Sequence, residues 1–175
     1  MNLDLNWKNI RRLFAHAFRS SLHYSIATVT PEGLPHVTPV GSLILLEPKR
    51  AIYFEEFTRR MPLNFRSNQH VCVLAVRSGL GFWLWSLLRG SFVTPPAIRL
   101  HGTVGAARAA TDGELRLWQR RVGKLKSTRG YQMMWANMRT VRDVQFTRAD
   151  RIDMGSMTRE CWSGFEAVDA GVARV

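Results

Sequence analysis

Three runs rich in β-branched and aromatic residues follow one another with almost no chain between them, and this succession most limits the possible folds. Residues 24–30 reach residues 35–46 through the tight connection Pro31-Glu32-Gly33, and Glu47-Pro48-Lys49 leads on to residues 51–57. Apolar runs bounded in this way read as strands in hairpin-like order. Further strands are predicted at residues 70–77, 97–107, 142–147 and 152–154. Pro39, inside the second run, predicts an edge position or a bulge, because proline donates no ladder hydrogen bond. Five or six strands in this order predict a mainly antiparallel β architecture with helices (α+β). A small barrel is the economical form, since closure removes exposed edges. Periodicity does not distinguish one small barrel from another.

Helical spacing appears in three places. In residues 4–19, Leu5, Ile10, Leu13, Phe14, Ala17 and Phe18 recur at helical intervals between basic residues, with Asp4 placed to cap or charge the first turn. Proline is tolerated in a helix only in its first turn, so Pro62 places a short helix over about residues 59–68. Thr111 and Glu114 form a capping box that opens a helix running to about Lys126, with Leu115, Trp118, Val122 and Leu125 as its buried stripe. The helical segment as a whole spans residues 111–137, and the N-terminal one spans residues 1–22. Residues 78–96 form an aromatic insertion containing Gly79-Leu80-Gly81-Phe82-Trp83-Leu84-Trp85 and closed by Pro95-Pro96. Its composition suits core or subunit-interface packing first, with a lid, a dimer contact or an interfacial segment as alternatives.

The 175 residues, 46% of them hydrophobic, suit one domain spanning 1–175 with a proper core. The most apolar stretch, residues 80–88, is far shorter than the about 20 residues that cross a bilayer. The first residues lack the basic-then-apolar pattern of a signal peptide. A cytoplasmic protein with no membrane partner is expected. Cys72 and Cys161 are far apart and form no CxxC pair, which argues against a disulfide framework or a metal knuckle. The net charge of +12 draws attention to nucleic acid, acidic lipid or anionic small molecules. Its densest group is Arg116, Arg120, Arg121, Lys124, Lys126 and Arg129, which reads as a solvated helix face. No helix-turn-helix, zinc-finger or RNP pattern accompanies it, so nucleic acid is a remote alternative.

Catalytic machinery is sparse. Ser20, Ser21 and His23 lie close together but form no nucleophile elbow. His16, His23, His36, His70 and His101 lack metal-ligand spacing. Glu55 and Glu56 are adjacent on a predicted strand and point to opposite faces, which does not suit paired carboxylate catalysis. Neither GxxxxGK[ST] nor GxGxxG occurs. What remains is the corner Thr58-Arg59-Arg60-Met61-Pro62-Leu63-Asn64. There an extended run ends, and a hydroxyl, two guanidiniums and the free amides of a helix N-terminus are expected to converge. That combination suits a phosphate group.

Four segments resemble the pyridoxamine 5'-phosphate oxidase-like, FMN-binding split-barrel superfamily. Residues 27–40, Ala-Thr-Val-Thr-Pro-Glu-Gly-Leu-Pro-His-Val-Thr-Pro-Val, are similar to its first hairpin. Ile52-Tyr53-Phe54, followed by Thr58-Arg59-Arg60 and Asn64, is similar to its third strand and Ser/Thr-Arg-Lys corner. Asn68-Gln69-His70-Val71 and Arg99-Leu100-His101-Gly102-Thr103-Val104 resemble two later strands. The resemblance implies a six-stranded split β-barrel that forms a homodimer, with a flavin in each cleft between subunits and a small-molecule substrate. It implies FMN as cofactor, with a deazaflavin or haem as alternatives, and an FMN-dependent oxidoreductase or a non-enzymatic flavin-binding stress protein as the function. By position, Thr58, Arg59, Arg60 and Asn64 would serve the phosphate corner. His36, Val37, Thr38, Pro39, Val40 and Gly41 would run along the ring and ribityl chain, and Tyr53 and Phe54 would add the end of the third strand. Trp83, Trp85 and Trp162 are candidates to cover the ring. Arg60 replaces the usual lysine, and Thr38 and Gly41 stand where the oxidase has basic residues. Trp162-Ser163-Gly164-Phe165 echoes the oxidase's Trp-x-Gly-Phe, but no Arg-x-His follows it in this sequence, so vitamin B6 oxidation is not expected.

Overall fold

The computed structural model describes residues 1–165. Helix α1 (Leu3–Ser21) precedes strands β1 (Tyr24–Val29), β2 (Pro35–Val40), β3 (Leu43–Leu46) and β4 (Arg50–Phe54). Helix α2 (Arg60–Ser67), strand β5 (His70–Val76), helix α3 (Leu80–Arg89) and strand β6 (Ala97–Ala109) follow. Helices α4 (Asp112–Val122) and α5 (Arg129–Met134) then lead to β7 (Thr140–Arg151). The strands form one antiparallel sheet in the order β2-β1-β5-β6-β7-β4-β3. The sheet's two edges, β2 and β3, are consecutive in the chain and joined only by Gly41 and Ser42. The sheet must therefore curl until its edges share a corner, which makes a barrel split between β2 and β3.

That corner corrects the expected six strands to seven. The predicted strand 35–46 divides at Gly41, where a Cβ would lie 3.0 Å from the backbone oxygen of Leu22. Pro39 does lie on an edge strand, as its missing amide hydrogen requires. The run 142–147 extends into the twelve-residue β7, and residues 152–154 lie outside any strand. Curling is eased by register shifts between β6 and β7 at His101/Gly102 and Val104/Ala107. Gly102 is the closest approach: a Cβ there would meet the Gln145 carbonyl oxygen at 2.1 Å.

Alternation along the strands sends Tyr24, Ile26, Val73, Leu100, Val144 and Phe146 into the barrel. The buried stripe of α1, including Trp7, Ile10 and Phe14, packs against them. The cap of α1 is Asn2, whose side chain accepts from the amides of Asp4 and Leu5. Asp4 supplies the negative charge of the first turn and pairs with Lys49 at 2.8 Å. A second apolar cluster lies on the other side of β4 and β7, where Ile52, Phe54 and Val141 meet Trp118, Val122, Tyr131 and Met138. The capping box of α4 is present, but the helix stops at Val122, and residues 123–125 tighten into a 3-10 turn. Gly123, a weak helix former, marks the break. The two clusters make β4 a strand buried on both faces. Among the described residues, no helix is long and apolar enough to cross a membrane.

Candidate functional site

The split corner opens onto a cavity of about 300 Å³. Phe54 enters it from β4, and Pro39, Val40, Gly41 and Ser42 border it from the corner itself. Phe57 and Thr58 add the connection to α2. Phe18 and Leu22 come from the end of α1, and Trp118, Arg121 and Trp135 from the α4–α5 segment. The lining is largely aromatic and apolar. Phe54 and Trp118 lie 5.4 Å apart between ring centroids, and Trp135 meets Trp118 edge-on at 6.4 Å.

One charge interrupts this surface. Arg121 donates from Nη1 to the Gly41 carbonyl at 3.2 Å and also to the Leu43 carbonyl. Its guanidinium lies 4.1 Å from the centroid of Phe18. It thereby ties α4 to the corner after β2 and to the start of β3. Burial pulls its pKa below the ordinary arginine value, while the Tyr24 hydroxyl opposes that shift. Among the described residues no carboxylate makes a salt bridge to it. A desolvated guanidinium without a counter-ion favours an electron-rich or anionic guest.

The expected site residues divide into three groups. Pro39, Val40, Gly41, Phe54 and Thr58 meet at the cavity. Tyr53 and Phe54 point to opposite faces, as neighbours on a strand must, and Tyr53 is buried in the barrel core. Its hydroxyl meets that of Thr58, and burial raises its pKa well above 10. His36 and Thr38 face one another on β2, with Nδ1 to Oγ1 at 3.4 Å, and Val37 lies on the exposed face. The phosphate corner is spread out. Arg59 occupies the N-cap of α2 with an exposed side chain, and no side chain caps that helix. Arg60 turns toward Glu32, 3.8 Å away, and lines a separate hollow with Pro31 and Arg66. Asn64 is fully buried, its Nδ2 donates to Thr28 Oγ1 at 2.8 Å, and its Oδ1 has no hydrogen-bond partner among the described residues.

Sequence reasoning missed Arg121 by assigning it to a solvated face. The signal was there: Arg121 stands three residues after Trp118 and directly before Val122, beside the buried stripe of its helix. The tryptophans at the cavity are not the ones the sequence singled out. Trp83 packs against Phe92 and Trp162 against Phe165, whereas Trp118 and Trp135 line the cavity.

A family model described as pyridoxamine 5'-phosphate oxidase matches residues 14–152. No curated protein matches the sequence significantly. Among solved structures, an FMN-binding protein from Syntrophomonas wolfei superposes with a TM-score of 0.53 at 12% identity, covering 85% of this chain and 93% of that one. HupZ from Group A Streptococcus superposes with a TM-score of 0.52 at 15% identity, covering 81% of this chain and 92% of that one. At such identities the likeness is one of fold. The matched span takes in the curled sheet, the split corner and the α4–α5 segment over the cavity, so the chain belongs to the pyridoxamine 5'-phosphate oxidase family.

Proposed function

We propose that the protein binds FMN in the cavity at the split corner and acts as an FMN-dependent oxidoreductase on a small molecule. The observation that carries this reading is the convergence at one place of β2, the end of β4, aromatic walls and an uncompensated guanidinium. The residues suit the group. The space, about 300 Å³, is at the lower end of small-molecule sites and fits a planar ring better than a bulky one. Phe54 and Trp118 offer flat faces, and Arg121 offers a cation to a polar ring edge. Thr58 lies between this cavity and the uncapped N-terminus of α2, where Arg59 and free backbone amides suit a phosphate.

Bound FMN supplies hydride and single-electron transfer. The chain's own part is to hold, orient and exclude water. Met134, Met138 and Val122 keep the wall apolar, and Arg121 stabilises negative charge beside it. A homodimer belongs to the same reading. Leu22 and Phe57 at the cavity and Val37 on β2 are exposed apolar residues, a rim that a second copy would cover.

Gel filtration after incubation with FMN tests the reading. Wild type should retain flavin, and an Arg59→Ala, Arg60→Ala double variant should lose it while keeping its circular dichroism. Undiminished flavin in that variant removes the phosphate role of the corner. Uptake of a deazaflavin in preference to FMN keeps the cavity and changes the cofactor.

A further inference from the structure

Helix α3 is apolar on nearly every side, a pattern that belongs to helices buried all round. Here only one side is buried. Phe82 and Trp83 pack on Phe92 at 5.5 and 5.2 Å, Trp83 Nε1 donates to the Arg77 carbonyl at 2.7 Å, and Ser86 donates to the Phe82 carbonyl at 2.8 Å. The opposite arc carries Leu80, Leu84, Leu87 and Leu88 at helical spacing, with Trp85 beside them. Leu80 is 88% exposed, Leu88 74% and Trp85 58%. The inner anchors hold this apolar ridge in place, and Gly90 ends the helix in a left-handed cap.

Positive charge lies beside the helix. Arg77 lies 3.9 Å from the Phe82 ring centroid, and Arg89 5.8 Å from that of Trp85. Arg19 and His16 of α1 share a hollow with Arg77, Gly79 and Phe82. Arg12 and Arg19 add to the positive field at His16. None of Arg12, Arg19, Arg77 and Arg89 makes a salt bridge among the described residues. An exposed leucine ridge bearing a tryptophan and rimmed by unpaired arginines has the features of an element that lies in a membrane interface.

We propose that α3 docks the protein on an anionic lipid surface, its leucine ridge entering the headgroup layer and the flanking arginines meeting acidic headgroups. Charge complementarity selects this occupant. A second copy brings the same arginines to the ridge, so pairing ridge to ridge sets like charges together. An acidic leaflet satisfies both the apolar ridge and its rim, each arginine near the surface adding about fivefold to partitioning. The helix lies on the membrane rather than across it, so a membrane partner is compatible with the lack of a spanning helix. The proposal does not depend on what fills the cavity at the split corner.

Co-sedimentation of the full chain with vesicles tests it, using phosphatidylcholine alone and phosphatidylcholine mixed with phosphatidylserine. Wild type should pellet with the mixed vesicles, bind the neutral ones far less, and release as salt rises. A Trp85→Glu, Leu88→Glu variant changes only exposed side chains and should keep the wild-type circular dichroism. Its binding should fall at least about tenfold. Absence of wild-type binding overturns the proposal. Equal binding by the variant also overturns it, because the charge would then act without the helix. Wild-type self-association abolished by the same variant, with no vesicle binding, overturns it in favour of a second copy of the chain.

Discussion

Arg121 concentrates the physics of the site in one side chain. It takes a charge out of water, offsets the cost with two backbone carbonyls and an aromatic face, and leaves the charge itself unmatched. Arg121→Met should therefore weaken FMN retention by about tenfold or more, the loss of a hydrogen-bonding cation, while Arg120→Met leaves it unchanged. Gel filtration with flavin absorbance reads both. Charge pairing elsewhere is conventional. Arg108 bridges Glu114 and Asp143, at 2.7 Å to each. That guanidinium, followed by the Thr111 hydrogen bonds, holds the Glu114 pKa down at about 2 from an ordinary 4.5. A carboxylate depressed in this way contributes stability that is fully present above its unfolded pKa and is lost as pH falls through the folded value. Glu114→Gln keeps the capping geometry and removes the charge. It should cost about 1–2 kcal/mol at neutral pH, a figure reduced by the partial exposure of Arg108, and almost nothing near pH 2. Urea unfolding of both proteins across that range measures the difference.

At the scale of elements, short-range chemistry was legible and long-range pairing was not. The capping box at Thr111 and Glu114, the proline in the first turn of α2 and the edge position of Pro39 each follow from one or two residues, and each is in the structure. Thr111→Ala should lower stability by about 1 kcal/mol, measurable by thermal unfolding, since it strips the hydroxyl from both sides of the cap. The break at Gly41-Ser42 depends on β2 and β3 belonging to opposite edges of the sheet, which no local pattern encodes. Residues 152–154 have strand composition but find no pairing partner among the described residues, and composition carries no information about partners. Gly102 is the converse case. Its need for a missing side chain is set by Gln145 on another strand, and Gly102→Ala should cost well over about 2 kcal/mol or prevent folding, as unfolding or expression yield would show.

Across the whole molecule, the curled sheet brings its two edges to one corner, and the α4–α5 segment roofs that corner to make the cavity. Part of this cavity's lining was readable in advance. Residues 39–41, Phe54 and Thr58 arrive from the β2 run and the strand before α2, as the family resemblance implied. The roof was not readable. Trp118 served the sequence pattern equally well as ordinary core, and Arg121 as a solvated charge, until the fold placed both over the split. Tyr53, Arg60 and Asn64 went elsewhere for equally plain reasons: strand alternation, a glutamate across the β1–β2 turn, and burial beneath Thr28. The central claim is that this cavity holds a flavin. Its most direct test is the visible absorption spectrum of the protein after incubation with FMN and removal of free cofactor. Flavin bands co-eluting with the protein in near-stoichiometric amount are the predicted result. A colourless protein, or one that ignores FMN and takes up haem instead, would contradict it.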